Sequence, residues 1–191
     1  MSQRAGLSRE KVLQIASDLS DQHGLHNLSM SLLAAQLQVR TPTLYHYIDS
    51  LAALRRALAL RALDLIGEQL GQAIMGKSGR EALHGLAYAL RDFAQAHPGL
   101  YEAAQAAPAS HDQEWRASGR RVVDIMRRAF DAYQLDEEQS RQAVRMLRSM
   151  LHGCIALERL DGFGVPHAAE DTFQALLLAL ELYLPQRPPR D

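Results

Sequence analysis

The stretch Ser29–Tyr47, SMSLLAAQLQVRTPTLYHY, decides how the rest of the chain is read. It reads as two short helices joined by a tight turn. Ser29 is placed to cap the first helix, its hydroxyl accepting from a free backbone N–H of the first turn. Leu32, Leu33 and Leu37 give that helix an apolar side, and Ala34 and Ala35 let another helix approach closely. In the turn Gln38-Val39-Arg40 an apolar residue stands between two polar ones, so Val39 is expected beneath the turn. Thr41 suits an N-cap, and Pro42 then falls at N1, where its missing N–H has no partner to lose. Thr43, Tyr45, His46 and Tyr47 follow on the second helix, with only Leu44 and Ile48 to anchor it. A helix so polar and aromatic makes poor core. It suits lying in a groove, with hydroxyls and a phenol offered to phosphates and base edges.

Composition narrows the class around this stretch. An apolar fraction of 47% supports a substantial core, while 7 prolines and 12 glycines in 191 residues argue against a disordered or fibrous chain. Residues 1–61 hold seven Lys and Arg against four Asp and Glu; the remainder holds 14 against 18. A mildly basic head on an acidic body fits contact with nucleic acid at one end. The one cysteine, Cys154, excludes an intramolecular disulfide and fits a reducing compartment. The N-terminus MSQRAG lacks the apolar core of a signal peptide, and the longest apolar run, Ala175–Leu180, is far short of a membrane span. The expected location is the cytoplasm, with no membrane partner.

Taken in order, the chain is helical throughout. Residues 1–7 form a polar arm containing Arg4. Ser8 caps a helix whose buried stripe is Val12, Ile15, Ala16 and Leu19. Gly24 ends it, expected in the left-handed C′ position with Leu25 folded back onto Leu19, as in a Schellman cap. Asp49-Ser50 open a long helix from Leu51 to about Met75, with Leu51, Leu54, Leu58, Leu65 and Leu70 near one face. Arg55, Arg56 and Arg61 lie on its polar side. This helix reads equally as a lever between head and body or as an ordinary connector. The turn Gly76-Lys77-Ser78-Gly79 is no phosphate loop, because no strand precedes it. Further helices are expected over residues 80–97, 99–106, 113–133 and 136–160, the last opened by an Asp136–Gln139 capping box. A final helix contains Phe173–Leu184 and is apolar nearly all round. With Gly153 and Ala156 permitting close packing, the last two helices read either as a homodimer interface or as a pair buried within one chain. Residues 185–191 are expected to be a disordered tail. The fold class is all-α with about nine helices: a helix-turn-helix head (1–50), then a helical body (51–184).

No chemistry of turnover emerges. The eight histidines are scattered, with no HExxH and no Cys/His pair at zinc spacing, so neither metal nor cofactor is expected. His152 and Cys154 stand two apart and face different ways on a helix. The acidic residues read as solvated helix-face charges. A helical adaptor without DNA binding and a small helical enzyme are the rival readings, and the second lacks a convergent polar site.

The residues Leu28-Ser29, Leu33-Ala34, Leu37, Val39, Pro42-Thr43-Leu44-Tyr45 and Leu54 resemble the DNA-binding head of the TetR family of bacterial repressors. The likeness covers about the first sixty residues. In the body, His97-Pro98-Gly99-Leu100-Tyr101, Leu151-His152-Gly153 and Gly162-Phe163 resemble the regulatory domain of one branch of these repressors. The chain departs from the family at three positions: Gln38 stands where glycine is usual in the turn, Tyr47 where histidine is usual, and Leu51 where lysine is usual. The resemblance implies a ligand-responsive repressor, homodimeric on a near-palindromic double-stranded operator. Ser29, Ser31, Thr41, Pro42, Thr43, Tyr45, His46 and Tyr47 would meet DNA. Of these, Ser29, Tyr45 and Tyr47 would position phosphates, and Thr41, Pro42, Thr43 and His46 would face base edges. Arg40 would be an extra contact particular to this chain. The resemblance also implies a pocket in the body for a largely apolar small-molecule inducer, which Phe93, Met126, Phe130, Tyr133 and Met150 are suited to line.

Overall fold

The computed structural model describes residues 6–106, 109, 111–165 and 168–185. Among them are nine α-helices, two short 3-10 turns and no strand. The helices are α1 (Arg9–His23), α2 (Met30–Gln36), α3 (Thr41–Leu44), α4 (Leu51–Ile74), α5 (Gly79–Ala96), α6 (Pro98–Gln105), α7 (Gln113–Arg128), α8 (Glu137–Arg159) and α9 (Ala168–Tyr183). Arg4 and the expected tail beyond Pro185 lie outside the described residues, as do Pro108, Ser110 and His167 of the expected loops.

The chain divides into two compact units, Met1–Leu65 with Ala96–Ser118, and Ile66–Gln95 with Gly119–Asp191. This division cuts across a boundary at residue 50, because α6 groups with α1, α2 and α3. One carboxylate helps to join them. Asp21 of α1 accepts from the backbone N–H of Gly99 at 2.8 Å and of Leu100 at 3.1 Å, and its other oxygen lies 3.1 Å from His97 Nδ1. It thereby caps the first turn of α6, whose N–H groups have no partner within their own helix. A Cβ at Gly99 would stand 2.3 Å from the carbonyl carbon and oxygen of Ser20, so glycine alone lets α6 come this close to α1.

Within this first unit α1 begins as expected, Ser8 Oγ accepting from the Lys11 N–H at 3.2 Å. Its end differs. Gly24 has φ 85° and ψ 144°, a glycine-favouring extended conformation, and the chain passes into a 3-10 turn, Leu25–Asn27, with no Schellman cap. α4 is capped by Ser50, whose Oγ accepts from the Ala53 N–H at 3.0 Å. Arg56 of α4 grips Asp112 through two bonds of 2.6 and 2.8 Å and reaches Glu114 at 2.7 Å. That guanidinium holds the Asp112 carboxyl down to about 2. Asp112 in turn caps α7 by accepting from the Trp115 N–H at 3.1 Å. Arg61 bridges to Glu10 of α1 at 2.7 Å.

In the second unit α5 buries Leu83, Leu86, Ala87, Leu90 and Phe93, the stripe expected from its spacing. Arg91 is buried beside them, 8% exposed. Its guanidinium makes two bonds to Glu158 of α8 (2.9 and 2.8 Å), bonds Glu170 of α9, and lies 4.7 Å above the Phe173 ring. Glu170 also accepts from Tyr88 Oη at 2.7 Å and from Gln174 Nε2 at 2.8 Å. Acidic residues read as solvated are therefore structural partners here. The Asp136–Gln139 capping box opens α8 as expected. α7 stops at Arg128 rather than near Tyr133: the Phe130 N–H bonds the Arg127 carbonyl at 2.8 Å, tightening the last turn, and a 3-10 turn, Asp131–Tyr133, follows.

The Arg91 network carries a pH signature. Arg91 first, then Tyr88 and Gln174, hold the Glu170 carboxyl down to about 2. Its folded value is depressed, so its contribution is present above the unfolded carboxylate range and lost as pH falls toward about 2. Glu170→Gln is expected to lower the melting temperature at pH 7, and the gap to wild type should close steadily between about pH 4.3 and pH 2. Thermal melts across that series check this; a gap independent of pH would show that the charge on Glu170 is not what matters.

Candidate nucleic-acid interface

The segment from Ser29 to Ile48 is built from its caps and two anchors. Ser29 is extended, φ −137° and ψ 157°, and its Oγ accepts from the Leu32 N–H at 3.2 Å while lying 3.1 Å from Ser31 Oγ. α2 buries Met30, Leu33 and Ala34; Ala35 is exposed, so one alanine rather than two serves the helix contact. The Schellman motif expected at Gly24 occurs here instead. The Val39 N–H bonds the Ala34 carbonyl at 3.0 Å, and the Gln38 N–H bonds the Ala35 carbonyl at 3.1 Å. Gln38 is the C′ residue, left-handed at φ 55°.

The second helix starts one residue earlier than its sequence suggested. Arg40, φ −79° and ψ 144°, takes the N-cap place without a side-chain bond, so Thr41 is the first helical residue and Pro42 follows it. α3 ends at Leu44, and Tyr45, His46 and Tyr47 occupy a turn rather than further helix. The turn is held by His46 N–H to the Thr43 carbonyl (3.3 Å) and Tyr47 N–H to the Leu44 carbonyl (2.9 Å). Leu44 is fully buried and Ile48 is 4% exposed, which are the anchors expected. Around them Ser31, Arg40, Pro42, Tyr45 and His46 are exposed, and Ser29, Thr41, Thr43 and Tyr47 are half-buried. All nine candidate DNA contacts thus fall on one short stretch of the first unit.

The candidate pocket residues belong to the second unit. Phe93, Met126 and Phe130 are buried, Tyr133 and Met150 are half-buried, and the Phe130 and Tyr133 rings lie 6.4 Å apart. Burial pushes the Tyr133 hydroxyl pKa up. A groove of about 530 Å³ between α5 and α9 is lined by other and more polar side chains, among them Arg80, His84, Tyr88, Asp171 and Gln174. His84 Nε2 lies 2.5 Å from Glu181 within this unit. Among the described residues no cluster of three or more His, Cys, Asp or Glu is disposed to hold a metal ion, and no helix is long and apolar enough to cross a membrane.

Sequence reasoning missed Asp21, Asp112 and Arg91. For Arg91 a signal was available, since it falls four residues after Ala87 on the apolar side of α5. Asp21 gave none, because it acts on backbone N–H groups that sequence spacing does not bring together, whereas Asp112 stands three residues before Trp115, the local spacing of an N-cap.

A left-handed conformation costs a residue with a Cβ about 1–2 kcal/mol, and the greater chain entropy of glycine offsets about half of that. Gln38→Gly is therefore expected to stabilise the fold by about 0.5–1 kcal/mol, a rise of about 1–4 °C in melting temperature. Thermal denaturation followed by circular dichroism measures it; an unchanged or lower value would mean the turn is not strained.

Comparison with known proteins agrees with this geometry. Residues 83–180 match the family described as tetracyclin repressor-like, C-terminal domain. Over 186 residues the chain is 31% identical to the uncharacterized HTH-type transcriptional regulator YobS of Bacillus subtilis (strain 168), covering 96% of this chain and 94% of that one. An uncharacterized HTH-type transcriptional regulator of Mycobacterium tuberculosis is 36% identical over 155 residues, 81% of this chain and 71% of its own. The crystal structure of a TetR transcriptional regulator from Legionella pneumophila superposes with a TM-score of 0.70 over 95% of this chain and 100% of that one. At 15% identity this last likeness concerns the fold. With a helix-turn-helix segment in its first unit and a tetracyclin repressor-like domain over residues 83–180, the chain belongs to the TetR family of transcriptional regulators.

Proposed function

We propose that this regulator binds a near-palindromic operator as a homodimer, represses transcription there, and is released by a largely apolar small molecule. The observation that carries the reading is the exposure of Arg40, Pro42, Tyr45 and His46 around an element anchored by buried Leu44 and Ile48. Such a segment contributes little to the core and presents its polar groups outward. Ser29, Tyr45 and Tyr47 then position phosphates, with Ser31 and Arg40 beside them. Thr41, Pro42, Thr43 and His46 face base edges, where Pro42 and a threonine methyl suit a thymine methyl. Two such heads must reach successive major grooves about 34–36 Å apart, or a multiple of that, which a paired molecule achieves.

Pairing is supported by the apolar surface left on α8 and α9. Leu157 is 47% exposed, Leu160 79%, Leu178 50%, Leu182 72% and Tyr183 55%. A Cβ at Gly153 would meet nothing within 4 Å. Such exposed side chains suit a second copy of the chain. An inducer releases DNA only by binding better to a dimer whose heads are wrongly separated. Phe93, Met126, Phe130, Tyr133 and Met150 are proposed to line its site. The cytoplasm, where a regulator of this family would meet DNA, is the proposed location.

Two outcomes test this reading. Tyr45→Phe is expected to weaken binding to all duplexes alike, by about tenfold, through one lost phosphate bond per head. Thr43→Ala should instead alter which operator variant is preferred. Titration of labelled operator variants separates the two, and identical effects of both substitutions on every variant would contradict the roles. Leu157→Glu with Leu178→Glu is expected to give a folded monomer that binds the operator at least tenfold more weakly, since a half-site carries only part of the contacts. Analytical ultracentrifugation reads the mass; a dimer that survives both charges would move the interface elsewhere.

A further inference from the structure

Three arginines on α4 lie in the first unit, and their partners differ. Arg56 pairs with Asp112 and Glu114, and Arg61 pairs with Glu10, so both charges are cancelled locally. Arg55 meets no carboxylate among the described residues. Its Nη2 reaches the carbonyl oxygens of Leu25 at 3.5 Å and His26 at 3.4 Å, both at the outer limit of a hydrogen bond. Its Nε is buried without a hydrogen-bond partner, as are those of Arg61 and Arg127, so the difference lies in its terminal nitrogens. The two carbonyls belong to the 3-10 turn Leu25–Asn27, which leads through Leu28 into Ser29, the cap of α2. The first turn of α4, Leu51 to Leu54, has no basic residue, so Arg55 is the first cation that the helix offers.

A half-buried guanidinium whose terminal nitrogen makes only loose bonds and which meets no carboxylate is under-used in the free protein, because charges taken partly out of water are normally paired. The site that lacks a partner sits beside the turn that delivers Ser29 and Ser31. What completes it is an anion, and a guanidinium suits a phosphate. We propose that Arg55, steadied by the Leu25 and His26 carbonyls, is a phosphate-binding residue of the DNA interface. The assignment rests on the operator-binding reading above. It adds to that reading a contact from α4, outside the helix-turn-helix segment. A bare structural role, bracing the 25–27 turn, predicts something different.

The salt dependence of binding separates the two roles. Full-length wild type, Arg55→Gln and Arg55→Lys are titrated against a labelled duplex from the region upstream of the protein's own gene. An unrelated duplex of equal length is titrated in parallel, between about 50 and 200 mM salt. Arg55→Gln is expected to bind both duplexes about tenfold more weakly at the low end, with a slope of log affinity on log salt shallower by about 0.9 per head. Arg55→Lys should keep the wild-type slope. If Arg55→Gln lacks a cooperative melt, Arg55→Met, which retains the apolar stem, is judged by the same slope. A wild-type slope in the neutral variant, even with weakened affinity, overturns the proposal and leaves Arg55 a brace. Wild type that retards neither duplex at low salt overturns the operator-binding reading and this assignment with it.

Discussion

A helix of four residues cannot hold itself together. Closing its first turn fixes several dihedrals for one hydrogen bond, and isolated helices far longer than α3 are marginal in water. α3 exists because Leu44 is fully buried beneath it and Ile48 is buried just beyond. The Schellman turn of α2 delivers the chain to its start. Everything that faces outward, from Arg40 to Tyr47, inherits its position from those two apolar contacts and that turn. The segment is therefore anchored where it is buried and chemically varied where it is exposed, as the proposed contact with a grooved polyanion would require.

The rest of each unit is tied by carboxylates acting at a distance along the chain. Asp112 receives Arg56 and caps α7 at once. Glu158 and Glu170 converge from α8 and α9 on Arg91 of α5, which is also stacked over Phe173. A charge so nearly buried is retained only when its donors are matched, and here Nε and both terminal nitrogens find carboxylate oxygens. Removing one partner leaves the others stranded, so the three helices are bound as a set rather than pair by pair.

Much of this was legible in the sequence, and the parts that were not share a cause. Helix periods, the Ser8, Ser29 and Ser50 caps, the Asp136–Gln139 box, and the anchors Leu44 and Ile48 are local signals, and all are present. Schellman motifs close α2 and α8 rather than α1, where Gly24 suggested one, because glycine is only one marker of them. They occur at Gln38 and, at the end of α8, at Asp161 with φ 52°, while Gly24 adopts a different conformation. Local hydrogen bonding outweighed residue preference at these positions. The end of α7 was missed because no glycine or proline marks it. Among the nine residues offered to DNA, exposure distinguishes Tyr45 and His46 from Thr41 and Tyr47, which spacing on an assumed longer helix did not. The grouping of α6 with α1 was out of reach, since the contact joins residues 21 and 99 through a backbone cap.

That last contact bears on how the protein is dissected. Asp21 and the bare backbone of Ser20 form a seat that only α6 fills, and α6 lies more than thirty residues beyond the first half of α4. A fragment ending inside α4 would keep every residue of the helix-turn-helix stretch yet leave this seat open to water. The helix-turn-helix segment is consequently not a portable cassette. Its packing is completed by a segment near the middle of the chain, well beyond the stretch that carries the exposed side chains.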